Sequence, residues 1–210
     1  MFENLIEKDQ QLLIYLNNLG TDFLDPIFMY ITHQINWWPF FLILIFLLLK
    51  KISLKQFGLL VLVLTVFFVF TDQMTNLVKY SVDRLRPVND PLIEPYLRVL
   101  RKAGSPSFFS GHASNSSGSI LIIFLIMKRY YKYAWLIFFF PLIFAYTRIY
   151  LALHYPLDIL CGYIFGLSSG FLFYFIFRYF NNKYKLTDKP QTLSYRKRLW
   201  FMKSHFFCFI

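Results

Sequence analysis

Three short stretches carry side chains able to do chemistry. In "RIYLALHYPLDIL", Arg148 is followed by His154 and Asp158. "KYSVDRLRP" holds Lys79 and Arg86, and "SGH" holds Ser110, Gly111 and His112. Lys79, Arg86 and Arg148 are fixed cations with few carboxylates close by in the chain. Such a set suits a phosphate dianion, because guanidinium groups present paired donors to its oxygens. Ser110 and Gly111, at the mouth of an expected helix, add a hydroxyl and backbone N–H groups. A helix N-terminus attracts anions in its own right. Two histidines supply a nucleophile and a proton donor. Asp158 lies four residues after His154, so both share a face of any helix that starts there. Its carboxylate can then fix the imidazole tautomer and stabilise the imidazolium as charge forms. Spacing alone leaves open which histidine attacks.

The elements that must position these groups are apolar. The 210 residues are 57% hydrophobic and only 16% charged, with mean hydropathy +0.48. Soluble domains sit near about 45–50% apolar and about 25% charged, so an integral membrane protein is expected. Five runs read as spans: 37–49, 57–70 with helix continuing toward Tyr80, 113–127, 133–147 and 156–177. A spanning helix needs about 20 residues, so the first and third runs reach that length only with their flanks. Pro141, inside the fourth, is expected to kink it. Residues 1–36 differ. "LIEKDQQLLIYLNNLG" is loosely amphipathic and stops at Gly20, and "DPIFMYITHQIN" is too short to cross. Both are expected to lie on the membrane surface. The fold class is thus all-α: a polytopic helical bundle of five spans over 37–180, interfacial helices over 1–36, and a basic tail over 181–210.

Charge orients the bundle. Lys50, Lys51 and Lys55, then Lys128, Arg129 and Lys132, then the basic run from Arg178 to Lys203 all fall on one side of five alternating spans. The positive-inside rule makes that side cytoplasmic. The N-terminal segment sets Glu3, Glu7, Asp9, Asp22 and Asp25 against Lys8 and belongs outside. Lys79, Arg86, Ser110, His112, Arg148, His154 and Asp158 then share the outer face. Net charge is +11, but the basic residues flank apolar runs as membrane anchors do, which argues against nucleic acid. No zinc-ligand spacing, nucleotide-binding loop or disulfide framework appears, Cys161 and Cys208 notwithstanding, and no obligate protein partner is indicated.

Each residue alone has an ordinary role. His33 and His205 suit interfacial caps; Arg98, Arg101 and Lys102 suit headgroup anchors; Asp158 could cap a helix. Asp72 lies inside the second span, where an ionisable residue is functional by default, although a hydrogen-bonding structural role is equally open. The ordinary readings do not explain why the other unusual residues gather on one face.

The spacing also resembles a known family. Lys79, six residues, then Arg86-Pro87 matches the first motif of the type 2 phosphatidic acid phosphatase superfamily, which includes the vanadium haloperoxidases. "SGH" at 110–112 matches most of its second motif, Pro-Ser-Gly-His, and Arg148–His154–Asp158 matches its third. The resemblance implies that His154 attacks phosphorus to form a phosphohistidine and that Asp158 orients it. It implies that His112 protonates the leaving oxygen and then activates water. Lys79, Arg86, Ser110, Gly111 and Arg148 would hold the phosphate, and no metal or other cofactor would be needed. Two positions depart from the pattern: Phe109 stands where proline is usual, and Thr147 where serine is usual. Many membrane relatives have six spans; the first is missing from the five expected here.

These readings converge on a membrane lipid phosphatase acting on a phosphate or diphosphate monoester at the outer leaflet of a cytoplasmic membrane, its site facing the periplasm or exterior. Undecaprenyl diphosphate is the first choice of substrate; lipid A, phosphatidylglycerol phosphate and phosphatidate are the alternatives. Arg84, Arg98, Arg101 and Lys102 could meet a second phosphate or anionic lipid. A phosphotransferase on the same scaffold and a non-catalytic lipid-binding protein are the readings from other classes.

Overall fold

The computed structural model describes residues 2–189; the tail beyond, with His205 and Cys208, lies outside the described residues. Seven α-helices follow one another: α1 (Phe2–Asn17), α2 (Asp25–Ile31), α3 (Trp38–Leu49), α4 (Leu54–Val82), α5 (Gly111–Met127), α6 (Phe139–Tyr150) and α7 (Pro156–Lys183). Among the described residues there are no strands.

The two long helices, α4 and α7, are long and apolar enough to cross a membrane, and α2 with α3 forms a pair bent by 81° that would count as a third, broken span. Their outward faces leave residues such as Val66 and Val69 on α4, and Ile164 and Phe171 on α7, exposed. Contiguous exposed apolar faces of this kind need a lipid environment. The remaining two expected spans, α5 and α6, are apolar but have 17 and 12 residues. Helix α5 is the central element and is buried along most of its length, so its hydropathy reflects core packing as much as lipid contact. Pro141 kinks no helix: it lies in the first turn of α6, after a 3-10 segment at Ala134–Phe138, where a missing N–H costs nothing.

A seam of small residues sets the central geometry. Gly162, Gly166 and Gly170 recur every fourth position on α7 and press against Ser110, Ser114 and Gly118 of α5. A Cβ on Gly162 would sit 2.6 Å from the Ser110 carbonyl oxygen, and one on Gly166 would overlap the Ser114 backbone. Small residues at this spacing let two helix backbones approach closely. The seam draws the N-terminus of α5 onto that of α7, where the Ser110 N–H donates to the Asp158 carbonyl at 3.0 Å.

The bundle has two chemically distinct ends. At one, the α3–α4 turn, the end of α5 and the start of the tail meet: Gln56 donates to Asn181 and Asp188, and Arg129 pairs with Asp188 at 2.9 Å. At the other lie the C-termini of α4 and α6, the N-termini of α5 and α7, the 84–110 loop, and α1 and α2. Helix α1 buries Leu13 and Asp9 while Leu5, Ile6 and Leu12 stay exposed, the amphipathic division expected at an interface.

Candidate active site

The turn from α6 to α7 is built for burial. Ala152 takes a left-handed φ of 51°, and the Leu153 N–H returns to the Arg148 carbonyl at 2.8 Å. That reversal sends Leu151–Leu153 inward and carries His154 to the interior. Pro156 then starts α7, and Asp158 Oδ2 accepts the Tyr155 N–H at 3.0 Å. Asp158 therefore caps α7 and faces His154 at once. His154 is 1% exposed and Asp158 0%. The Nδ1–Oδ2 separation is 3.4 Å, inside ion-pair reach but outside good hydrogen-bond geometry. Burial pushes the His154 imidazole down from its ordinary 6.5 to about 4, with Asp158 pulling the other way, so the ring is neutral near pH 7.

The segment after α4 grips this pair from outside. Helix α4 stops at Asp83, in the left-handed region at φ 47°, and the chain runs extended into Arg86. In extended chain residues two apart face the same way. Arg84 and Arg86 accordingly both face the pair, while Leu85 points out, 56% exposed. Arg86 Nη1 lies 3.5 Å from His154 Nε2 and donates to the Leu153 carbonyl at 3.0 Å. Its other nitrogens donate to Ser105, fixing the guanidinium plane. Arg84 Nη1 donates to Asp158 Oδ1 at 2.8 Å, Nη2 to Asp9 Oδ2 at 2.8 Å, and the guanidinium stacks 3.7 Å over the Tyr155 ring.

Arg148 completes the cradle from α6. It is buried, donates Nη2 to the Thr32 carbonyl at 2.6 Å, and leaves Nε buried with no partner among the described residues. A buried donor without a partner is costly and marks a place for an acceptor. Thr147, in the position of the usual serine, shares a 3.1 Å hydrogen bond with Thr32 and so braces the same loop. Ser110 serves as the N-cap of α5, its Oγ accepting from the Ala113 N–H. Lys79, Gly111 and His112 line a cavity of about 530 Å³ beside the cradle. Arg148, Lys79 and Arg86 are the cations that act on His112. Every expected site residue is therefore brought to one end of the bundle.

The structure adds residues and corrects others. Asp9, Thr32 and Tyr155 contribute to the site although nothing in their spacing announces it. Arg84 does not wait for a second phosphate; both its terminal nitrogens hold carboxylates. Arg98 is likewise engaged, by Asp22 and Asp25. Phe109 is buried with its ring 5.0 Å from that of Phe165, so the residue replacing proline anchors the segment before Ser110 in the core.

A buried histidine–aspartate pair between arginines, at one end of an all-helical membrane bundle, fits phosphoryl chemistry, and the comparisons agree. Residues 56–182 match the PAP2 superfamily. The chain belongs to that superfamily and is a membrane phosphatase. It is 36% identical to a lipid A 4'-phosphatase of Bacteroides thetaiotaomicron over 197 residues, covering 91% of this chain and 84% of that protein. It is 25% identical to a lipid A 4'-phosphatase of Porphyromonas gingivalis, over 87% of this chain and 78% of that one. An undecaprenyl-diphosphatase of Sulfolobus acidocaldarius is 28% identical over 62% of this chain and 58% of its own length. Two solved structures share the fold. The phosphatidylglycerolphosphate phosphatase of Bacillus subtilis aligns with a TM-score of 0.60 at 19% identity, covering 86% and 87% of the two chains. LpxE of Aquifex aeolicus aligns at 0.54 and 22% identity, covering 78% and 92%.

Proposed function

We propose that this protein removes a phosphate from an acylated glucosamine of lipid A, through a phosphohistidine on His154. The observation that carries the chemistry is the 3.5 Å approach of Arg86 Nη1 to His154 Nε2 with Asp158 behind the other ring nitrogen. His154 Nε2 attacks phosphorus in line as the bond to the sugar oxygen breaks, and His112 gives that oxygen a proton. His112 then takes a proton from water, whose oxygen attacks the phosphohistidine. The N–P bond breaks, inorganic phosphate leaves, and His154 returns to its neutral form. Lys79, Arg86, Arg148, the Ser110 hydroxyl and the Gly111 N–H stabilise the charge on the equatorial oxygens, the largest contribution to phosphoryl transfer.

Substrate choice rests on the two lipid A 4'-phosphatases, which match most of this chain. Undecaprenyl diphosphate is the second reading, favoured by the third relative. Five spans, a cytoplasmic-membrane location and an outward-facing site belong to the same proposal, supported by the basic loops at the end of the bundle opposite the cradle. A reporter fused after Tyr184 should read cytoplasmic. The deciding experiment offers the purified protein lipid A, undecaprenyl diphosphate and phosphatidate in detergent and measures released phosphate. Lipid A should be turned over best, with mass spectrometry finding one phosphate lost; preference for undecaprenyl diphosphate would replace the first reading by the second. Transfer of phosphate to an added lipid acceptor in place of water would make the protein a transferase.

A further inference from the structure

The cavity beside the cradle descends between α3, α4, α5 and α6, and its walls are unlike. Phe41, Leu44 and Phe140 make one side apolar. The other side carries polar groups inside the spans: Asp72, Thr75 and Asn76 on α4 and Asn115 on α5. Asp72, Asn76 and Lys79 are spaced four and three residues apart, which puts them on one face of α4. His112 and Asn115, three apart, do the same on α5. Two helices thus run a polar stripe downward from the phosphate cradle. Asp72 lies seven residues below Lys79, about 10 Å at 1.5 Å per residue.

This stripe is incompletely satisfied from within. Asn115 donates to Asp72 Oδ1 at 2.7 Å and accepts from Thr71. Thr75 Oγ1 is buried with no partner among the described residues. A carboxylate and an unpaired hydroxyl in the wall of a largely apolar cavity both call for an occupant with its own donors and acceptors.

We infer that the Asp72–Thr75–Asn76–Asn115 stripe is a subsite for the N–H and O–H groups of an acylated amino sugar next to the phosphate. The apolar wall takes the acyl chains. The inference rests on the lipid A reading and deepens it: Asp72 accepts from a hydroxyl or amide N–H, while Thr75 and Asn76 can donate to amide or ester carbonyls. Polyprenyl diphosphates and phosphatidate carry no N–H or O–H donor beside their phosphates and leave Asp72 unmatched. The cavity is therefore a selector for glycolipid phosphates over plain ones.

The test measures kcat/KM for lipid A and for phosphatidate with the full chain in detergent, for the wild type and for Asp72→Ala, Thr75→Val and Asn76→Leu. The ratio of lipid A to phosphatidate should fall about tenfold or more in Asp72→Ala, the scale of one hydrogen bond to a charged group. The two other variants should show smaller falls of the same sign. Equal losses on both substrates, or none, across the three variants would overturn the subsite and leave the stripe as a brace between α4 and α5. If Asp72→Ala does not fold, Thr75→Val and Asn76→Leu decide, since neither side chain makes a hydrogen bond to another element among the described residues. A wild type that ignores lipid A but hydrolyses phosphatidate would fail the function and the subsite together. An unchanged ratio in a wild-type-active background fails the subsite alone.

Discussion

Asp9 and Asp158 are held by one guanidinium: Arg84 donates at 2.8 Å to Oδ2 of the first and Oδ1 of the second. Asp9 Oδ1 also accepts the Leu157 N–H at 2.8 Å. The N-terminal helix is thereby fastened to the carboxylate that faces His154. Arg84 touches no phosphate in this arrangement; it positions Asp158. Arg84→Met should lower kcat about 100-fold, the usual scale when a catalytic group is misplaced by about an ångström, with KM changing little. Asp9→Asn should do less, because Arg84 keeps its bond to Asp158. A kcat equal to wild type in Arg84→Met would show that Asp158 needs no external brace.

The depressed His154 imidazole makes a pH prediction. In the proposed mechanism attack needs the neutral ring, and its folded value is about 4 against an ordinary 6.5. The acid limb of kcat/KM due to this group should therefore lie well below pH 6.5. Asp158 raises the value, so Asp158→Asn should move the limb lower still while reducing the rate. The shift between wild type and variant, measured on one substrate, cancels the ionisation of the substrate phosphate. The sign for stability follows by linkage: between about 4 and 6.5 the unfolded chain binds more protons than the native one. This contribution is fully present above pH 6.5 and is lost as pH falls, so thermal stability in detergent should drop across that window, and less so in His154→Ala.

Arg148 should not tolerate lysine. Its Nη2 is spent on Thr32, while Nε is buried without a partner among the described residues and is the atom proposed to meet a phosphate oxygen. Only a planar fork serves both directions. Arg148→Lys and Arg148→Ala should each cost about 3–4 kcal/mol in kcat/KM, the scale of a lost oxyanion donor. Thr147→Ser should be near neutral and Thr147→Val harmful, because the hydroxyl reaches Thr32. Steady-state kinetics of the four variants checks both statements.

The motif residues were legible because charged and polar side chains inside apolar runs stand out and alternating spans fix which ends they share. His154 and Asp158 could be paired from their spacing since a helix does begin there. Arg84 was visible only as a surplus cation. Its partner Asp9 sits in another helix, and no local pattern reports a chain folding back through α1. Thr32 holds Arg148 through its backbone carbonyl, a contact that leaves no trace in residue type. The number of spans was less legible for a related reason. Apolar content does not tell a lipid-facing helix from a central one such as α5, and Pro141 reads as a kink until the 3-10 segment before it is seen.

The seam between α5 and α7 is where folding and catalysis should fail together. Gly166 has no room for a methyl group, since the obstructing atoms are the Ser114 backbone and Ser117 Oγ. Relief requires the two helices to separate, because backbone cannot rotate away as a side chain can. Overpacking of this kind costs about 1–3 kcal/mol or more. Gly166→Ala should lower the melting temperature in detergent and also reduce kcat, because moving α7 lengthens the 3.0 Å bond from the Ser110 N–H to the Asp158 carbonyl. Gly58→Ala is the control: nothing lies within 4 Å of its would-be Cβ, and alanine favours helix by about 1 kcal/mol over glycine. That variant should melt at or above the wild-type temperature and keep full activity. If Gly166→Ala melts like Gly58→Ala, the close approach of α5 and α7 is not what assembles the site.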